Sequence, residues 1–141
     1  MGVKTVILVV CLDDRNGMTF LKRRQSQDSV LRAHMLEMSR GTKLWMNGYS
    51  ARQFDAIADH MRVNEAFLDH AGAGEYCFAE NVDVREACEK AEKLVIYRWN
   101  RHYPADVKFP LECLEGRMRL EAREEFPGSS HDTITWEVYG L

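Results

Sequence analysis

Apolar residues along the chain fall into short runs divided by polar turns, and the longest of these define the expected sheet. Val6–Leu12 (VILVVCL) is uninterrupted and rich in β-branched residues, the pattern of a central strand buried on both faces. Residues 94–99 (LVIYRW) are a second buried strand. Pro104 has no N–H for a ladder, so the segment from Asn100 must leave the sheet, and Phe109-Pro110 brings the chain back. Shorter strands are expected at 42–47, 60–63 and 75–80. Near the end, Ile134, Trp136 and Val138 alternate with Thr133, Thr135 and Glu137, a half-buried antiparallel strand joined through 127–130 to a strand at 118–126.

Between these strands the spacing changes to that of helices. Leu31, Met35 and Met38 share one face, so a helix starts near 26–28 and ends by Gly41, after a polar lead-in from Phe20. Ser50 is expected to cap a helix reaching 54–57, Asn64 one reaching His70, and 84–91 forms a third after the first. Asn16-Gly17 supplies a turn with positive φ. Gly72 and Gly74 precede a strand, whereas a dinucleotide fingerprint follows one, so they read as a loop.

Composition narrows the class. With 141 residues, 45% of them hydrophobic, the chain is expected to form one domain, 1–141, around one substantial core. A net charge of -3 gives no general attraction for nucleic acid or acidic membranes. No apolar run is long enough to span a bilayer. Met1 to Lys4 and the run after them could be taken for a leader, but Asp13-Asp14-Arg15 closes the run early, so a cytoplasmic protein is expected. Cys11, Cys77, Cys88 and Cys113 are widely spaced and are expected to be reduced, with no metal site.

Several residues carry candidate chemistry, each with a structural alternative. Asp28 or Ser26 caps the first helix, or Asp28 faces a ligand. Arg23-Arg24 is a solvated turn or an anion clamp. Gly48 and Ser50 stand where a strand, a glycine turn and a capped helix offer free N–H groups to an anion. Tyr97 is a core aromatic with a satisfied hydroxyl or a pocket phenol, and His131 is a structural hairpin histidine or a catalytic one.

The order Ala91, Lys93-Leu94, Asp106, Phe109-Pro110 resembles the strand and loop of dihydrofolate reductases, with their K-L strand and D-x-x-F-P loop. The opening strand followed by Gly17-Met18, the Asn47-Gly48-Tyr49-Ser50 turn and the Ser130-His131 pair are similar to that family as well. The resemblance implies an α/β fold, dihydrofolate reductase-like, with a mostly parallel central sheet flanked by helices and a C-terminal antiparallel hairpin. It also implies that Asp28 faces the ligand, that Tyr97 supports it and that Phe78 lines the pocket.

The family's cofactor-admitting glycine pair falls on Ala79-Glu80, and tyrosine replaces the arginine after Gly48. A carboxylate at 80 near a pyrophosphate adds repulsion of about 1 kcal/mol or more, which argues against ordinary use of NADPH; no cofactor is expected. If Asp28, Tyr97 and Glu80 converge, two carboxylates and a phenol in one cleft suit acid/base chemistry or an amino-bearing heterocycle. The expected function is therefore binding of a small heterocyclic or nucleotide-like ligand, with Asp28 and Tyr97 as catalytic candidates and Arg23, Arg24, Phe78, Glu80, Gly48 and Ser50 as ligand contacts. A non-catalytic interaction module, acting as a homodimer or with a partner, is the alternative. A third reading comes from R-R-Q-S-x-D, W-N-R-x-Y-P and G-S-S-H segments similar to short bacterial chains labelled ribonuclease Z. It would place RNA on Arg23, Arg24, Arg98, Arg101 and His102, although the H-x-H-x-D-H metal motif of that enzyme is missing.

Overall fold

In the computed structural model, which describes residues 6–141, β1 (Val6–Leu12) is buried along its whole length because its alternate side chains feed two cores. Leu8, Val10 and Leu12 pack on one face with residues of the later helices, while Ile7, Val9 and Cys11 pack on the other. Each such aliphatic side chain removed from water contributes about 1.5–3 kcal/mol. Met1 to Lys4, at the start of the run that the sequence argues is not a leader, lie outside the described residues.

The chain continues through β2 (Gly17–Phe20), β3 (Arg23–Arg24), α1 (Ser29–Met38), β4 (Leu44–Met46), α2 (Gly48–Ala51), β5 (Met61–Val63), α3 (Phe67–His70) and β6 (Tyr76–Phe78). After these come α4 (Arg85–Lys90), β7 (Ala91–Arg98), β8 (Val107–Lys108), a 3-10 turn (Leu111–Cys113), β9 (Arg119–Phe126) and β10 (Ile134–Gly140). Seven strands form one sheet in the order β5-β4-β6-β1-β7-β10-β9. The first five run parallel, and β10 and β9 close it as an antiparallel hairpin. Leu31 and Met35 of α1 cover one face; Phe67 of α3 with Ala87 and Cys88 of α4 cover the other.

Several expectations need correction. The polar lead-in at 20–28 contains a hairpin, and β3, β2 and β8 form a separate three-stranded antiparallel sheet. Asn47, rather than Ser50, caps the helix after β4, accepting from the Ser50 amide at 3.0 Å, and that helix stops at Ala51. The N-cap position of α3 is Ala66, two residues later than expected, and Asn64 instead accepts from the Ala66 amide at 2.8 Å through its side chain, in the turn that leads into the helix. β10 is covered on both faces: Thr135 and Glu137 are buried, the latter against Arg98 at 2.9 Å. Cys88 and Cys113 are not reduced but joined in a disulfide, which ties α4 to the 3-10 turn; Cys11 and Cys77 remain free and buried.

Candidate functional site

Parallel strands of an open sheet place their loops at one end, where ligands bind in α/β folds. Here the residues following β1, β4, β6 and β7 bring Asp13, Asn47, Glu80 and Trp99 to that end. Three polar networks organise it.

Glu80 is the hub of the first. It is 7% exposed and accepts from Arg24 Nε at 3.0 Å, Arg24 Nη2 at 3.1 Å, Ser50 Oγ at 2.8 Å and Gln53 Nε2 at 3.1 Å. Arg24 also donates through Nη2 to the Tyr49 carbonyl, and its guanidinium lies 4.2 Å from the Tyr49 ring centroid. A bidentate guanidinium and two neutral donors compensate the buried carboxylate. The chain thus ties β3, α2 and the end of β6 together at one point.

Asp28 organises the second network. Its carboxylate caps α1, accepting from the Val30 and Leu31 amides, and it also takes the Ser129 and Ser130 amides at 3.0 and 2.8 Å and lies 3.1 Å from His131 Nδ1. Burial pushes its pKa up, but the Ser129 and Ser130 amides, His131 and the Leu31 amide outweigh that and hold it well below the usual carboxylate range. Gly128 permits this approach, because a Cβ there would collide with the Asp28 carboxylate and the His131 carbonyl.

Tyr97 belongs to the third. It is fully buried, and its hydroxyl meets His34 Nδ1 at 2.7 Å; His34 Nε2 in turn meets Glu124 at 3.0 Å, with the imidazole stacked 4.7 Å from Phe126. Burial, reinforced by Cys11, Tyr76 and Glu124, pushes the phenol far up, so it stays protonated. Asp28 and Tyr97 lie on the same side of the sheet, with α1, but they and Glu80 have separate partners and do not converge on one cavity.

Of the remaining expected contacts, Arg24, Ser50 and Glu80 are brought together, Phe78 is buried in the core, and Arg23 is exposed. The Gly48 amide already donates to Glu65 at 2.8 Å, so a carboxylate occupies the group expected to meet a phosphate. The arginines expected to form a basic face are partly spent: Arg24 on Glu80, Arg98 on Glu137 and Asn16.

A cleft of about 430 Å³ opens beside Glu80, between β2, the start of α4 and β8. Met18, Val82, Val84, Val107 and Pro110 give it apolar walls; Lys22, Arg85 and Lys108, with Asp83 and Asp106, bring charge to it. Met18, Asp106 and Pro110 carry part of the family resemblance and Glu80 stands out as a charge, but the lining comes from three separate segments whose meeting no motif signals. Among the described residues no cluster of His, Cys, Asp and Glu is arranged to hold a metal, and no helix is long and apolar enough to cross a membrane.

No protein-family model matches the sequence, and no curated protein matches it. A solved structure does: a dihydrofolate reductase from Enterococcus faecalis, complexed with NADP(H) and RAB-propyl, is similar over 99% of this chain and 97% of its own, with TM-score 0.68 and 10% sequence identity. The fold is that of dihydrofolate reductase. At this identity the likeness extends to the backbone path, including the parallel sheet and C-terminal hairpin expected from the sequence, and stops short of the chemistry.

Proposed function

We propose that the chain binds a small heterocyclic or nucleotide-like ligand in the cleft beside Glu80 and does not carry out ordinary NADPH-dependent reduction. The observation that supports this reading is the cleft itself: about 430 Å³ lies within the range of small-molecule sites, with apolar walls and a few charged groups. A planar ring fits against Met18, Val84 and Val107; an anionic tail fits Lys22 and Lys108; and an amino edge fits the carboxylates at 80 and 83.

The dihydrofolate reductase neighbour was solved with NADP(H). The residues of this chain do not fit that dinucleotide in the ordinary way, since carboxylates of Glu80 and Glu65 stand at the two backbone positions expected to meet its phosphates. In this reading Glu80 touches the ligand, Arg24 and Ser50 position Glu80, and Asp28 and Tyr97 keep the surrounding fold in shape. A cytoplasmic location, the expectation from the sequence, would expose the Cys88–Cys113 bond to reductants.

Thermal shift over a panel of nucleotides, flavins and pterins tests the proposal. A saturable shift is expected with at least one of them, lost in Val107→Trp, which fills the cleft from an exposed position, and retained in Asp28→Asn. No shift across the panel would sink it, and so would steady NADPH oxidation with dihydrofolate.

A further inference from the structure

Apart from the cleft, one cluster has the order of a nucleophilic relay. Asp28 Oδ2 lies 3.1 Å from His131 Nδ1, and His131 Nε2 lies 3.1 Å from Ser26 Oγ. The Asp28 and His131 side chains are 0% and 1% exposed, whereas Ser26 is half-buried. With the Nδ1 proton donated to a fixed carboxylate, Nε2 can only accept, and the neighbours able to donate to it are two hydroxyls, those of Ser26 and Tyr103.

We propose that Ser26 is an acyl acceptor, with His131 as its base and Asp28 as the residue that positions His131. The roles follow from geometry, since the same constellation arises on unrelated folds. The imidazole cannot swing away: Trp99 stacks on it at 4.7 Å with 26° between planes, and Tyr103 meets it edge-on at 6.3 Å. An open cavity of about 540 Å³ is lined by Phe20, Leu21, Tyr103 and Pro104 together with Arg23, Arg24 and Gln25, the residue before Ser26. Apolar walls with the exposed Arg23 among them suit a small ester that carries both an apolar and an anionic group.

In the reaction, Ser26 Oγ bonds to the carbonyl carbon while its proton passes to His131 Nε2. The bond from that carbon to the alcohol oxygen then breaks, and the alcohol leaves with the proton. Water, deprotonated by His131 in the same way, releases the carboxylic acid and restores the serine.

Tyr103 supplies the feature that separates this role from a purely structural one. Its hydroxyl lies 2.9 Å from the same Nε2, so phenol and serine compete for one lone pair. A fluorophosphonate probe on the full chain, followed by intact mass and peptide mapping, tests the proposal: Ser26 Oγ displaces fluoride from phosphorus. One adduct on Ser26 is expected, absent in Ser26→Ala and formed several-fold faster in Tyr103→Phe, where the competitor is gone. Asp28→Asn, assayed where it is still folded, is expected to lower the maximal labelling rate without changing the probe concentration that gives half of it. Val107→Trp, which blocks the ligand cleft, leaves labelling unchanged. No adduct in either the parent or Tyr103→Phe, an adduct that persists in Ser26→Ala, or no acceleration in Tyr103→Phe would overturn it.

Discussion

Replacing Arg24 with alanine isolates the contribution of the Glu80 hub. The substitution removes both charged donors to a carboxylate that is 6% exposed, leaving it with the Ser50 hydroxyl and the Gln53 amide. Breaking a buried pair by removing one partner costs about 3–5 kcal/mol. Because the Arg24 side chain is 19% exposed, water can partly replace it, and the lower end, about 3 kcal/mol, is the expected loss. In a domain of this size that corresponds to a fall of roughly 10 °C in Tm. Removing both charges in Arg24→Leu/Glu80→Leu should cost less than Arg24→Ala alone, since no carboxylate is left stranded. Urea unfolding followed by far-UV circular dichroism and tryptophan fluorescence, with equal m-values across the series, measures these differences. A loss below about 1 kcal/mol for Arg24→Ala, or a pair coupling below about 0.5 kcal/mol, would show that the ion pair does not hold the hub together.

Three further outcomes follow from other contacts. The folded-state pKa of Asp28 is depressed, so its stabilisation is fully present above the unfolded carboxylate value of about 4 and is lost as pH falls toward the folded value; Asp28→Asn should flatten that acid limb in pH-dependent urea melts and cost about 2 kcal/mol at pH 7. Reducing Cys88–Cys113, which closes a separation of 25 residues, should lower stability by about 3.5 kcal/mol in melts with and without dithiothreitol; an unchanged melt would refute the link. Gly128→Ala should destabilise by about 2 kcal/mol, because its Cβ meets the Asp28 carboxylate, the His131 carbonyl and Ile134 Cδ1, and a neutral result in calorimetry would mean the loop can move aside.

The elements that were legible in the sequence are those whose pattern has one explanation. A seven-residue apolar run such as Val6–Leu12 must be covered on both faces, and the 94–99 run with its closing proline behaves likewise. The β2–β3 hairpin was not legible. Its turn residues Leu21 and Lys22 both adopt positive φ, at 51° and 65°, a geometry ordinarily signalled by Asn-Gly. The alternation of Glu137 with Trp136 and Val138 predicts a half-buried strand and cannot reveal that Arg98 lies on the adjacent strand to neutralise a buried Glu137. The Cys88–Cys113 pair has no spacing signature, since it depends on α4 and the 3-10 turn meeting in space. At the site, Glu80 was legible as a charge out of place, but its partners Arg24, Ser50 and Gln53 come from segments that only the fold brings together.

The same physics explains why open volume lies beside β2 rather than at the mouth of the sheet. Asp13, the first residue after β1, is nearly inaccessible and accepts from the Gly17, Arg15 and Tyr103 amides and from Gln25. Asn47 caps α2 and donates to Asn81, while Glu80 is held by Arg24. Each strand end that could offer a polar group to a guest is therefore satisfied from within, and a ligand entering there would first have to displace a charge-assisted bond worth about 1.5–3 kcal/mol. A cavity of about 10 Å³ lies among Cys11, Met18, Gln25, Glu80 and Trp99, on the order of one water molecule. The 430 Å³ cleft shares Met18 and Glu80 with that small cavity. A guest in the cleft thus meets the Glu80 hub, so binding there should couple to the Arg24–Glu80 pair: Arg24→Lys, which keeps the charge but not the fork, should alter ligand affinity more than it alters stability.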